Sequence, residues 1–147
     1  MTIRPISLFI TSSPKDESYL DELITHLAVL QRQRLIDFWH HRRFMAGDDL
    51  SAEITARLEQ ADVIIIAISP DSLASDDFHE RDLSRSLARH RDGSARVIPL
   101  LIRPADWEST DLRHLQPLPK DRNPVSKWRD RDDAWRDVVR GIEHIVE

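Results

Sequence analysis

The chain has 147 residues, enough for one domain, and no cysteine, which excludes disulfides, thiolate metal sites and a Cys nucleophile and leaves the redox compartment open. At 40% hydrophobic residues it can build a core, but its longest strongly apolar run, Val63 to Ile68, is far shorter than a bilayer requires, and the start MTIRPISLFITSS lacks the features of a signal peptide; the expectation is a cytoplasmic chain with no membrane contact. The net charge of -5, with basic residues interleaved among acids as in residues 127–133 (KWRDRDD), reads as a solvated surface rather than a nucleic-acid footprint. The three glycines, Gly47, Gly93 and Gly141, cannot form GxGxxG or a P-loop.

Residues 6–10 (ISLFI), bounded by Pro5 and by TSSP, read as a strand. Leu20, Leu23, Ile24, Leu27 and Leu30 then fall on one helical face, with Ser13-Pro14 as a cap or turn and Asp16 and Glu17 near the helix start. Residues 35–39 (LIDFW) give a second strand, followed by a long polar loop over residues 40–49. Leu50, Ile54 and Leu58 mark the next helix face. Residues 63–68 (VIIIAI) are β-branched except for one alanine, as expected of a central strand buried on both faces of a parallel sheet. Leu83 and Leu87 form the inward stripe of another helix. Residues 96–102 (RVIPLLI) read as a fourth strand, with Pro99 suggesting an edge position or a local irregularity. Residues 104–124 are loop-like around one short helix, and residues 132–147 close the chain as a helix carrying Trp135, Val138, Val139, Ile142 and Ile145 at helical spacing. Trp107, Trp128 and Trp135 are expected to pack this helix and the long loop against the sheet.

Alternating strands and helices imply right-handed βαβ units. The expected fold is α/β: a flavodoxin-like three-layer domain over residues 1–147, with a central parallel sheet of four to five strands flanked by helices. Ligands in such folds bind beyond the carboxyl ends of the strands, where strand order reverses. Residues 11–15, 40–49 and 69–78 should meet there. No HxxxH or HExxH occurs, so no metal site is expected, and Ser12 and Ser13 lack a GxSxG elbow and read as capping and cleft-lining residues. A phosphorylated receiver-like domain would want acids clustered at the end of the first strand, where this chain has Thr11-Ser12-Ser13.

With these elements placed, the sequence resembles a bacterial Toll/interleukin receptor (TIR) domain over nearly its whole length. Residues 8–13 (LFITSS) stand where the family has its FISYS-like opening strand, followed by an acid, here Asp16. Phe38-Trp39-His40 through Gly47-Asp48 stands at the second strand and BB loop, with Ala46 in place of the usual proline. Ala61-Asp62 before the apolar strand, Ser75 with Phe78 through Leu87, and residues 96–100 (RVIPL) complete the series.

The resemblance implies one of two functions: hydrolysis or cyclisation of NAD+ at the nicotinamide–ribose bond in antiphage immunity, or non-enzymatic assembly through TIR–TIR contacts. NAD+ would be the substrate, and no cofactor is implied. Partners would be other TIR domains and a fused sensor module, the chain being the N-terminal part of a longer protein. The family's catalytic glutamate lies four residues after an aromatic and directly before an apolar residue, which selects Asp82 here, one methylene shorter. Cleavage develops oxocarbenium-like charge while nicotinamide leaves neutral, so one well-placed carboxylate suffices. Glu80 is the substitute, although residues two apart lie about 200° around a helix and cannot both face one cleft unless the helix starts irregularly. Ser12, Ser13, Trp39, Arg43, Phe44 and Phe78 are the expected substrate-binding residues, Trp39 reading more as core or cleft wall than as a stacking platform. The loop cations Arg42 and Arg43, with His40 and His41, stand ready to meet either the NAD+ pyrophosphate or an acidic face of a neighbouring TIR domain.

Overall fold

The structure, a computed structural model, describes residues 4–146. Four strands, β1 (Ile6–Thr11), β2 (Ile36–Trp39), β3 (Val63–Ile68) and β4 (Arg96–Leu101), form one parallel sheet in the order β2-β1-β3-β4. The chain runs outward from β1 to β2, then returns past β1 to β3. Strand order therefore reverses between β1 and β3, and the crevice opens there.

Period-two alternation in β3 builds both cores. Val63, Ile65 and Ala67 join Leu8, Ile10, Phe38 and Trp135 on one face, under α1 (Glu17–Arg32) and α5 (Arg131–Val146). Ile64, Ile66 and Ile68 join Phe9, Leu58, Phe78 and Leu87 on the other, under α2 (Leu50–Gln60) and α4 (Ser84–Arg91). All six β3 residues are buried, as their unbroken apolar run requires. On α1 the expected stripe is buried at Leu20, Leu23, Leu27 and Leu30, while Ile24 packs at its margin.

The stripe expected on α2 is corrected. Only Leu58 is buried; Ile54 is partly covered and Leu50 is 54% exposed, because the first half of the helix faces the open crevice. β4 is one of the two edge strands, where the missing N–H of Pro99 costs no ladder bond. A fifth strand is reduced to a single parallel bridge: Leu118 N donates to Pro99 O and Leu118 O accepts from Leu101 N. Residues 104–124 hold not one short helix but three 3-10 turns, Trp107–Ser109, Asp111–His114 and Lys120–Arg122. Trp135 is fully buried against α1, its Nε1 donating to Glu22. Trp107 is buried in the core of the opposite face, and Trp128 packs half-buried beside α5. Glu147, the expected last helical residue, lies outside the described residues.

Asp16 is not a dipole-facing surface acid. It is 1% exposed, and both carboxylate oxygens are used. Oδ2 accepts from the Ser69 hydroxyl just past β3, and Oδ1 accepts from Arg103 Nε at 3.0 Å just past β4. Arg103 also pairs with Asp71, and these two acids outweigh burial and hold the guanidinium charge. Ser69 in turn caps the short α3 (Pro70–Leu73) in a reciprocal pair with Ser72. Asp16→Ala leaves Arg103 short of a partner and the Ser69 hydroxyl without its acceptor, and is expected to destabilise the protein by roughly 2–4 kcal/mol. The check is the urea midpoint, with the Asp16→Ala/Arg103→Met double variant losing less than the sum of the two single changes.

Candidate functional site

The crevice is a cleft of about 750 Å³. The three loops expected to converge do so. The first contributes Thr11, Ser12 and Ser13, the second Phe44, Met45 and Ala46, and the third Ser72, Ser75 and Phe78. Leu50, Ser51 and Ile54 of α2 form the opposite wall, apolar except for the Ser51 hydroxyl. A second hollow of about 550 Å³ lies beside the start of β4, but among the described residues no carboxylate lines it.

Asp82 stands at the inner end of the cleft. It belongs to a π-helical turn, Phe78–Leu83, that leads into α4. Such wide turns carry an extra residue per turn and occur often at functional sites. Here Phe78, Asp82 and Leu83 all point inward, and Asp82 is only 5% exposed. The Thr11 hydroxyl, at the end of β1, donates to Asp82 Oδ2, and Arg81 Nε donates to Oδ1 at 2.7 Å. Arg81 Nη1 reaches Ser51 Oγ at 3.3 Å, so one guanidinium links the π-turn to the start of α2. The Ser75 hydroxyl accepts from Phe78 N and fixes the start of the turn.

Glu80 is exposed and does not line the cleft. The helix does begin irregularly, yet the π-turn still keeps residues 80 and 82 on different sides. Ser12, Ser13, Phe44 and Phe78 line the cleft, and Ser13 also caps the turn before α1 through Lys15 N.

Trp39 and Arg43 are corrected: neither lines the cleft. The Trp39 ring is sandwiched between the guanidinium groups of Arg43 and Arg57, 3.7 and 3.3 Å from its centroid. Its Nε1 donates to Asp37. Arg43 bonds Asp37 Oδ1 and Phe38 O, both at 2.9 Å, which turns it back along β2. Burial pushes the Asp37 pKa up, but the Trp39 and Arg43 hydrogen bonds outweigh it and the net shift is downward. The cationic loop is likewise neutralised from within. Arg42 pairs with Glu17 and Asp21 of α1, and holds the Glu17 carboxyl below its usual value. His41 lies 3.2 Å from Glu17. Its ring is the one part of this basic group that lines the cleft.

Two residues of the site were not anticipated. Arg81 is the single arginine or lysine lining the cleft, and the Thr11 hydroxyl orients Asp82. The strand-end position of Thr11 was the available signal; for Arg81 there was none beyond its place beside Asp82. Among the described residues no cluster of three or more His, Asp or Glu is arranged to hold a metal, and no helix is long and apolar enough to cross a membrane.

A sequence profile described as "TIR domain" matches residues 8–139. The chain is similar to the uncharacterized protein y4lF of Sinorhizobium fredii, 35% identical over 136 residues that cover 92% of this chain and 42% of that protein, so it spans less than half the length of this relative. Among solved structures it is similar to the TIR domain of the Toll-related receptor TRR-2 from Hydra magnipapillata, with a TM-score of 0.66 and 22% identity over 92% of this chain and 97% of that one. It is also similar to the TIR domains of the activated Roq1 resistosome directly recognizing the pathogen effector XopQ, with a TM-score of 0.66 and 12% identity over 95% and 99%. The RPS4 and RRS1 TIR domain heterodimer matches with a TM-score of 0.55 and 14% identity over 95% and 96%. At these identities the structural likeness concerns the fold.

The loop that rims the cleft yields two expectations. Asp48 N donates to Met45 O, and Gly47 has φ +93 while Ala46 does not adopt positive φ, the pattern of a type II turn with Ala46 at its second position. Proline suits that position, so Ala46→Pro should stabilise the protein by about 0.4–1 kcal/mol in urea unfolding. His40 is pushed down from 6.5 to about 4 by burial first, then by His41, Arg43 and Arg42. Its Nδ1 is buried without a partner. Between those two values the unfolded chain binds a proton that the folded one does not, so stability is full above about pH 6.5 and falls as pH drops toward 4. Unfolding midpoints across this range should show the loss in the wild type and a flatter profile in His40→Gln.

Proposed function

Because the chain belongs to the TIR domain family, we propose that its cleft binds NAD+ and breaks the nicotinamide–ribose bond, with Asp82 as the carboxylate that faces the developing charge. The observation that carries this reading is a buried carboxylate at the inner end of the cleft, at the reversal point of the sheet, aimed by a hydroxyl from β1. The bond electrons leave with the nicotinamide nitrogen, which thereby becomes neutral and needs no proton. The ribose is left with oxocarbenium character, and a fixed negative charge in a water-poor site stabilises it. Water then adds at the anomeric carbon and loses a proton, giving ADP-ribose; an internal nucleophile would give a cyclic product instead. Phe78, Phe44, Leu50 and Ile54 offer the apolar wall that a nicotinamide or adenine ring requires. In this reading the protein serves bacterial antiphage signalling from the cytoplasm, coupled to a sensor module elsewhere in a longer chain.

A second reading is assembly without catalysis. Both oxygens of Asp82 are engaged by Thr11 and Arg81, and Met45, 76% exposed, and Leu50 present apolar surface at the cleft rim. Exposed apolar groups of this kind suit contact with a second TIR domain. The TIR domains of the Roq1 resistosome and of the RPS4–RRS1 heterodimer occur in assemblies, which supports self-association as part of either reading.

Nicotinamide release from NAD+, followed at high protein concentration under conditions that drive self-association, separates the two. The enzyme reading expects turnover that Asp82→Ala lowers by at least ~100-fold and Glu80→Ala leaves close to wild type. No release in the associated state would leave assembly as the function. Undiminished turnover in Asp82→Ala would remove Asp82 from the chemistry.

A further inference from the structure

We propose that Arg81 is a ligand-released latch on Asp82: its guanidinium holds the carboxylate in the structure described here, and a diphosphate-bearing ligand draws it away and leaves Asp82 free to act on the ribose. The inference rests on the NAD+-cleaving reading for its consequence, but the latch itself is a statement about binding.

Three observations carry it. First, Asp82 has no oxygen left over in this arrangement, since Thr11 donates to Oδ2 and Arg81 Nε to Oδ1. A guanidinium 2.7 Å from a buried carboxylate cancels most of the field that the carboxylate would exert on a developing cation, so Asp82 cannot act while Arg81 stays. Second, Arg81 is the one arginine or lysine that lines the cleft, whereas Asp48, Asp77 and Asp82 all line it. The neighbouring cations Arg42 and Arg43 are bound to Glu17, Asp21 and Asp37. A doubly charged diphosphate entering this acidic cleft therefore has a single permanent cation to meet. Third, Arg81 is held for exchange rather than locked. Its side chain is 20% exposed, and beyond Asp82 its one further bond is a 3.3 Å contact to the exposed Ser51 hydroxyl. Guanidinium groups bind phosphate oxygens in two-pronged fashion at least as well as carboxylate. A diphosphate thus replaces one charge-assisted partner by another, and the ligand that brings the scissile ribose also uncovers the group that attends it.

The latch makes a prediction of unusual sign. Asp82 competes with the ligand for Arg81, so removing the carboxylate charge should tighten binding. Titration calorimetry of the 147-residue chain with ADP-ribose, which carries the diphosphate and no nicotinamide bond, tests this. Asp82→Asn should bind ADP-ribose about tenfold more tightly than wild type, and Arg81→Gln at least about tenfold more weakly, with Arg81→Lys between. Nicotinamide riboside, which lacks the diphosphate, should lose no affinity in Arg81→Gln. Thermal unfolding of each variant monitors the fold; if Arg81→Gln fails to fold, the Asp82→Asn arm decides alone. Equal or weaker ADP-ribose binding by Asp82→Asn, or undiminished binding by a folded Arg81→Gln, overturns the latch, as does absence of any ADP-ribose binding by both wild type and Asp82→Asn. Nicotinamide release is measured separately on the same samples. No release together with the expected binding pattern would sink the enzyme reading and keep the latch, while release that is indifferent to Arg81→Gln would do the reverse.

Discussion

The buried carboxylate of Asp16 is the constraint on which the geometry of the cleft depends. The sheet is parallel and its strand order reverses between β1 and β3, so the connections leaving those two strands diverge beyond the last ladder pair, Thr11 with Ile66. Asp16 ties these diverging segments together beyond the strands by accepting from Ser69, just past β3, and from Arg103, just past β4. A desolvated carboxylate is tolerable only with its oxygens satisfied, and here each has a donor from a different strand end. The clamp fixes the chain leaving β1, and with it Thr11, whose hydroxyl sits at the inner end of the cleft. Two buried acids thus lie at the carboxyl end of the sheet. One is consumed in joining strands, and the other lines the crevice that the first helps to shape.

The same logic of pairing explains why the loop over residues 40–49 carries no free positive charge into the cleft. It has two arginines and two histidines in four positions, and read alone it looks like an anion trap. Its partners are supplied from elsewhere in the chain. Glu17 and Asp21 lie on the exposed side of α1 and meet Arg42; Asp37 projects from β2 and meets Arg43. Trp39, held by Arg43 and Arg57, is thereby committed to the margin of the core under α2. The one arginine of the cleft is left to the π-turn, where Arg81 and Asp82 stand side by side.

What could be read from the sequence follows from the range of the interactions involved. The strands, the α1 and α5 faces and the central place of β3 are set by local periodicity, and they were legible. So was the convergence of three loops, because it follows from right-handed crossovers and one reversal. Helical angle made it legible that Asp82 and Glu80 could not share a side, the family spacing after Phe78 singled out Asp82, and the π-turn did not upset the separation. The side-chain directions of Arg43 and Trp39 were not. Neighbours on adjacent elements decide them, and the partners of Arg42 lie 21 and 25 residues away in sequence. The Arg81–Asp82 bond was hidden for a different reason. Adjacent residues on a regular helix do not face each other, so no sequence rule would pair them; the pairing occurs where the helix is widened into a π-turn.

These points bear on the aspartate at position 82. Judged by reach alone, the missing methylene brings the carboxylate less far toward a bound ribose. In the structure its shortness has a second consequence. It keeps the carboxylate close to its own backbone, within bonding distance of both the Thr11 hydroxyl and the Nε of the preceding residue. A glutamate would carry the charge one bond further into the cleft and away from Arg81 Nε. The short acid and the arginine before it therefore belong together: the aspartate is what allows Arg81 to cover the carboxylate, and in the proposed latch the arginine makes the charge at this position conditional on what else enters the cleft.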